Sequence, residues 1–464
     1  MRVARLLTAD ALGAYWYDDQ AAVRAGAVHD GFDYAGRPVT RGFDRIRMPA
    51  RALSIGLLLD DGHVAWGDAM TVQYSGAGGR EPPFEPAVAR ATLERKVAPR
   101  LEGLELDGFG AACARAFGAG TGTFAGAADG AAHGAEAGES AGAGGAAHPG
   151  VLRSPALRYG LSQALLAAHA HAARTTMAEV LCAEYGLPVV PEPVPLFAQS
   201  GDDRHANVDK MILKRVGVLP HGLINNREKL GPQGETFATY ARWVATRVRQ
   251  LGGANYAPVL HFDLYGTAGL EFGGDLDAIA GFLARLGDSL APFRVRIETP
   301  FDLGSHAAQL EGFARLRAAL ERLGSAVELV ADEWCDTLAD VRAFARAGAA
   351  HLVQIKMPDV GSLADSATAV LECRRAGMEA YLGGSCAETD VSARAAVHVA
   401  LATRPAMLLA KPGMGVDEGI TIVGNEQART VATLRARRAE GDAWRNSTTS
   451  SSARARPAAY SPTA

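Results

Sequence analysis

The sequence predicts an α/β protein, a (β/α)8 TIM barrel with an α+β domain ahead of it. Three observations predict this. From Val194 onward, short apolar runs alternate with helical periodicity, and eight such runs between 194 and 410 match the size of a barrel. The helical stretches are long enough to return the chain for parallel strand pairing. The third observation is chemical: the run 327–331 delivers Asp332 and Glu333, a helical pattern follows from Thr337, and the next run, 351–355, delivers Lys356. An acid at one strand end and a lysine at the next suit a bound metal facing a general base, and strand C-termini of a barrel converge on one face. A doubly wound open sheet is the competing architecture, but no dinucleotide fingerprint accompanies these strands.

The α+β domain is expected over 1–160. Residues 52–59 and 63–66 read as strands, joined at Asp60-Asp61-Gly62, a hairpin signal. The loop from Gln73 to Arg80 is glycine-rich, but no GK[ST] follows it, so it is a surface loop or a substrate lid rather than a phosphate cradle. Helical periodicity over 86–104 begins with Pro86, where a first turn tolerates it. Residues 117–150 are nearly all Gly and Ala, cannot bury a core, and predict a flexible insert whose His133 and His148 are solvated. Residues 159–185 read as one helix with Leu161, Leu165, Leu166, His169 and Ala173 on one face. His169 and His171 are two apart and point to different faces, which argues against a metal pair.

The barrel is expected over 161–435. Its strands are placed at 194–198, 217–219, 258–262, 293–297, 327–331, 351–355, 379–382 and 406–410. Its helices are placed at 235–251, 276–289, 306–323, 337–347, 363–376 and 390–402, with a longer, less regular connection after the first strand. Residues 436–464 turn polar and end rich in Ser, Thr, Ala and Arg, a composition that predicts a disordered tail.

Composition excludes several classes. The 464 residues carry a formal net charge of -4, so no electrostatic footprint for nucleic acid is present. The five cysteines show no CxxC spacing, and an odd, scattered set suits a reducing cytoplasm rather than a disulfide frame. No apolar run is long enough for a membrane span, and the N-terminus lacks the apolar core of a signal peptide.

The strand ends carry the chemistry. In order they present Gln199, His221, Asp263, Glu298, Asp332, then Gln354 and Lys356, then Ser385 and Cys386. Any one strand-end acid is more often a helix cap or charge partner, and Cys386 alone is more often a packing residue. Asp263, Glu298 and Asp332 on three successive strands instead make a compact oxygen site for a hard cation. Mg²⁺ is the natural fit, and zinc is disfavoured because no His or Cys falls among the three. Lys356, one strand further round, can face His221 across the barrel mouth.

The segments FAQSGDDR, LPHGLINN, HFDLYGT, VADEWCDT, QIKMPD, GGSCAETDVSA and AKPGMGVDEG, with VQYSGAGGR in the first domain, resemble the methylaspartate ammonia-lyase family of the enolase superfamily. The resemblance runs to about Glu426 and omits the insert and the tail. It implies an N-terminal capping domain on the barrel, a homodimer, Mg²⁺ with K⁺ as activator, and reversible conversion of L-threo-3-methylaspartate to mesaconate and ammonia. By the same resemblance Asp263, Glu298 and Asp332 hold Mg²⁺, Lys356 takes the C3 proton, and His221 is a second base on the opposite face. Gln199, Gln354, Ser385 and Cys386 contact the substrate, and Gln73 and Leu409 wall the pocket. Two departures stand out: Ser385 replaces the usual Thr, and Thr299 stands where the pattern leads one to expect Gly. A proton beside a carboxylate is a very weak acid, and a divalent cation on that carboxylate supplies the electrostatic stabilisation its removal needs. Another superfamily reaction, such as dehydration or racemisation, and a non-catalytic barrel are the alternatives.

Overall fold

The computed structural model describes residues 1–76, 80–118 and 151–452. The chain opens with a long strand, β1 (Val3–Asp18), followed by a small antiparallel pair, β2 (Val28–Asp30) and β3 (Asp33–Ala35). β4 (Arg47–Leu59) and β5 (Val64–Ala69) form the hairpin expected from Asp60-Asp61-Gly62, with Gly62 at φ 88° where a side chain would be strained. β4 is the central strand of the sheet β1-β4-β5, paired antiparallel to both neighbours.

The helix Pro155–Ala173 packs across this sheet at very short range. A Cβ on Gly160 would lie 2.6 Å from the Ala69 backbone nitrogen, so only glycine permits the approach. The periodicity over 159–185 is divided into two helices, Pro155–Ala173 and Met177–Tyr185. Arg174 adopts a left-handed conformation (φ 52°), and Thr176 with Glu179 then closes a capping box. His169 Nδ1 donates to the Leu165 carbonyl and His171 pairs with Asp61, so the two rings serve different neighbours. The expected helix over 86–104 is Pro86–Thr92, a π turn at Leu93–Val97, and Ala98–Leu101.

The barrel is closed and all parallel: β6 (Leu196–Ala198), β7 (Val218–His221), β8 (Val259–Asp263), β9 (Val295–Glu298), β10 (Glu328–Ala331), β11 (Leu352–Ile355), β12 (Glu379–Leu382) and β13 (Leu408–Ala410), which pairs back to β6. Each strand falls within about two residues of its expected place. Phe197, Val218, Val330, Leu352, Tyr381, Met407 and Leu409 fill the lumen, while the larger apolar core lies between the strands and the surrounding helices. Arg296 closes the lower lumen, 2% exposed, between Glu328 and Glu379.

The last helix, Val416–Ser452, carries the chain through the first part of the stretch whose polarity predicts a tail; its Ala, Glu and Arg residues are good helix formers. Residues 453–464, and all but the first two residues of the expected insert 117–150, lie outside the described residues. No helix among the described residues is long and apolar enough to cross a membrane.

Candidate active site

Because the eight strands run parallel, their C-terminal ends share one rim, and the first domain lays residues 72–74 and Arg80 across it. One pocket there is lined by Gln73, Gln199, His221, Asp263, Asp332, Gln354, Lys356, Ser385, Cys386 and Leu409, all named by the sequence. Glu298, the remaining one, lies directly beneath and is fully buried.

His221 ends β7 in a left-handed conformation (φ 66°), with Nε2 3.2 Å from Asp263 Oδ2. Asp263 ends β8, and its Oδ1 accepts the Tyr265 N–H at 2.9 Å. Glu298 ends β9 amid donors: Gln354 Nε2 at 2.8 Å, Tyr381 Oη at 2.9 Å from both oxygens, and the His261 ring at 2.6 Å. His221, Asp263 and Glu298 offer ligand atoms all within 4.8 Å of one another. Asp332 instead turns to Lys356, whose Nζ lies 2.9 Å from Oδ1 and 3.0 Å from Oδ2. The structure thus gathers two of the three acids the sequence groups, adds His221, and sets the third against the lysine.

The electrostatics follow from burial. Burial and then the neighbouring Glu298, Glu333 and Asp332 hold the Asp263 carboxyl well above the usual range. Burial and then Asp332 push Glu298 up to about 8, and the same two causes push Glu333 up to about 7. Four carboxyls converge here against two cations among the described lining residues, Lys356 and Arg80, and Arg80 is ion-paired with Asp336 and Asp359. That surplus of buried acid, together with the unpartnered Gln354 Oε1 and His221 Nδ1, fits a hard divalent cation. Burial opposes the charged form of Lys356, but Asp332, Glu333 and Asp359 together outweigh it and keep the ammonium protonated. Burial, then His261, hold His221 well below its usual value, as neutral imidazole. Burial pushes the Cys386 thiol up to about 12, so it remains a weakly polar contact rather than a thiolate.

Gln73 is fixed from behind. Its Nε2 donates to Asp18 Oδ2 at 3.0 Å, and Asp18 in turn takes both prongs of Arg47 at 2.7 and 3.1 Å. A family model described as methylaspartate ammonia-lyase N-terminus matches residues 1–186, and one described as methylaspartate ammonia-lyase C-terminus matches 188–436. The chain belongs to the methylaspartate ammonia-lyase family.

The named relatives agree. A methylaspartate ammonia-lyase of Carboxydothermus hydrogenoformans is 48% identical, covering 94% of this chain and 99% of that one. The crystal structure of the Citrobacter amalonaticus enzyme containing (2S,3S)-3-methylaspartic acid superposes with TM-score 0.85 at 45% identity, covering 94% of this chain and all of that one. A Mg complex of the Clostridium tetanomorphum enzyme gives 0.82 at 42%, again over 94% and 100%. Muconate lactonizing enzyme from Pseudomonas fluorescens, at 18% identity and TM-score 0.54, shares the enolase-like fold. The protein is therefore an ammonia-lyase on an enolase-like barrel.

Several lining residues of this lyase carry no local sequence signal. Arg80 emerges from the glycine-rich loop and is buried between Asp336 (2.8 Å) and Asp359 (2.9 Å), beside Lys356. Tyr74, Tyr265 and Glu333 complete the wall. Glu333 is the second acid that the run 327–331 delivers with Asp332, read from the sequence without a role in the pocket. Thr299 occupies a left-handed position (φ 42°), where the expected glycine would be unstrained, and its hydroxyl donates to Glu333 Oε2 at 2.7 Å.

Proposed function

We propose that this site eliminates ammonia from L-threo-3-methylaspartate to give mesaconate, reversibly and with Mg²⁺. The observation that supports it is the opposition of two bases. Lys356 follows β11 and His221 ends β7, four strands apart in an eight-strand barrel, on either side of a pocket whose floor is carboxylate.

Asp263, Glu298 and Asp332 are the proposed Mg²⁺ ligands, with His221 close to the first two. Bound there, the cation stabilises negative charge gathering on the substrate carboxylate as the neighbouring C–H is broken. With Asp332 engaged as a ligand, the ion-pair partner nearest Lys356 would be weakened, and burial would then favour the neutral amine. Neutral Nζ then takes the C3 proton. The C–H electrons form the C2=C3 bond, the C2–N bond breaks, and the ammonium group leaves as ammonia with that pair. His221 serves as base for the opposite configuration at C3. Gln199, Gln354, Ser385 and Cys386 orient the carboxylates, and Gln73 and Leu409 bound the methyl-bearing carbon. Activation by K⁺, a homodimer, a cytoplasmic location and the division into a capping domain of 1–160 and a barrel of 161–435 complete the reading and rest on the family likeness and the sequence.

The test is ultraviolet detection of mesaconate from the threo substrate with and without Mg²⁺. Formation that depends on Mg²⁺ is expected. No mesaconate with Mg²⁺, or equal rates after chelation, would overturn the reading.

A further inference from the structure

Behind the pocket lies a fully buried ion pair that the chemistry above does not use. Lys411 follows β13 and is 1% exposed; Glu388 lies just past the substrate-facing loop 383–386 and is 0% exposed. Lys411 Nζ is 2.9 Å from Glu388 Oε2 and donates to the Gly383 carbonyl at 2.9 Å. Glu388 Oε2 also accepts the Ser385 N–H at 2.8 Å, and Oε1 accepts the Tyr159 hydroxyl at 2.5 Å. Three separate segments thus converge on one carboxylate, and the pair makes two contacts, Lys411 to the Gly383 carbonyl and Glu388 to the Ser385 N–H, to the backbone of the loop that presents Ser385 and Cys386.

The packing leaves no slack. Gly384 sits at φ 134°, and a Cβ there would collide with Glu388 Oε2 and stand 2.5 Å from Lys411 Nζ. The first domain holds the far side of the loop: the Ala14 N–H donates to the Glu388 carbonyl at 3.2 Å, and Thr389 Oγ1 donates to Asp68 Oδ2 at 2.6 Å. A buried ion pair is weak support for net stability, because desolvation offsets its attraction; a pair of apolar residues of similar volume often does as well. What this pair supplies is geometry for a loop with no regular structure of its own.

We propose that Glu388 and Lys411 are positioning residues: through the Gly383 carbonyl and the Ser385 amide they fix the 383–386 loop, and so set affinity for the carboxylate that Ser385 and Cys386 contact. This rests on the substrate reading above.

The experiment uses the full chain carrying Glu388→Gln with Lys411→Met, which removes both charges together, and separately Tyr159→Phe, which removes one hydrogen bond and no charge. Each is measured by hydrogen exchange of the 383–388 amides, thermal midpoint, and KM and kcat for threo-3-methylaspartate with Mg²⁺. The expected result is faster exchange at 383–388 with barrel-strand amides still protected. KM should rise about tenfold in the double variant, and less in Tyr159→Phe, with kcat largely kept, the signature of lost ground-state binding. A folded variant with unchanged loop exchange, or with faster exchange and unchanged KM, overturns the proposal. If the double variant does not fold, Tyr159→Phe decides by the same two readouts. If the parent enzyme makes no mesaconate, the substrate reading fails while loop exchange still tests the pair.

Discussion

Lys356 and His221 sit on opposite strands, and a base removes only the proton that points at it. Lys356→Ala should therefore abolish deamination of the threo isomer. His221→Ala should keep much of that reaction and lose the slower one on the erythro isomer. Mesaconate formation from each separated diastereomer measures this, and an equal loss on both isomers in His221→Ala would reduce the histidine to an electrostatic or positioning role. Thr299 yields a second expectation. Its left-handed backbone is costly for a β-branched residue, and its hydroxyl donates to the part-buried Glu333. Thr299→Val keeps the strain and removes the donor, so stability should fall by about 1–3 kcal/mol in denaturant unfolding; an unchanged midpoint would show that the hydrogen bond contributes nothing. At this scale legibility follows the strand ends. Asp263 and Lys356 could be read because each ends or closely follows an apolar run, and Gln354 because it is the polar break within one; they do meet in one pocket. Arg80, Tyr381 and His261 could not. Arg80 reaches the barrel from another domain, and Tyr381 and His261 face the lumen from within runs that look apolar.

Strands and helices of the barrel were legible because their periodicities differ and repeat, so each element confirmed the register of the next. The long strand β1 was not read as a strand. Its sequence mixes apolar and polar residues without strict alternation, because its burial alternates only in part along the sheet edge. The division at Arg174 was hidden for another reason: a single left-handed residue interrupts a helix without changing its composition. The boundary expected at 160 falls inside the helix Pro155–Ala173, which packs on the first domain's sheet before the chain enters the barrel. The insert offers an element-scale test. The Val151 and Leu152 N–H groups both donate to the Phe117 carbonyl, at 2.8 and 3.1 Å, so the chain ends flanking 119–150 are already fastened together. Closure entropy grows slowly with loop length. Deleting residues 120–145 should leave activity and thermal midpoint nearly unchanged, and a collapse of either would mean that the segment contributes contacts of its own.

For the whole molecule, the buried acids couple stability to pH and metal. Glu298 and Glu333 rise from 4.5 to about 8 and about 7 on burial next to Asp332. A carboxyl raised in this way binds its proton more tightly folded than unfolded. Its contribution is therefore complete below 4.5 and is lost as pH climbs through 7 to 8. His221 and His261 work the other way, since burial depresses both below 6.5 and folding gains as pH rises towards that value. Above 6.5 the histidines no longer contribute. Lys356, raised above its ordinary 10.5, stays protonated in both states across this range. The acids therefore act alone between 6.5 and 8, and in chelator the thermal midpoint should fall through that interval. Ionised carboxylates are also the form that binds a cation, so the rise in midpoint on adding Mg²⁺ should grow with pH over the same interval. Thermal scans at fixed protein concentration, with chelator and with saturating Mg²⁺, give both quantities. A midpoint that rises with pH in chelator, or an Mg²⁺ increment independent of pH, would mean that the cluster is ionised and compensated before any cation arrives.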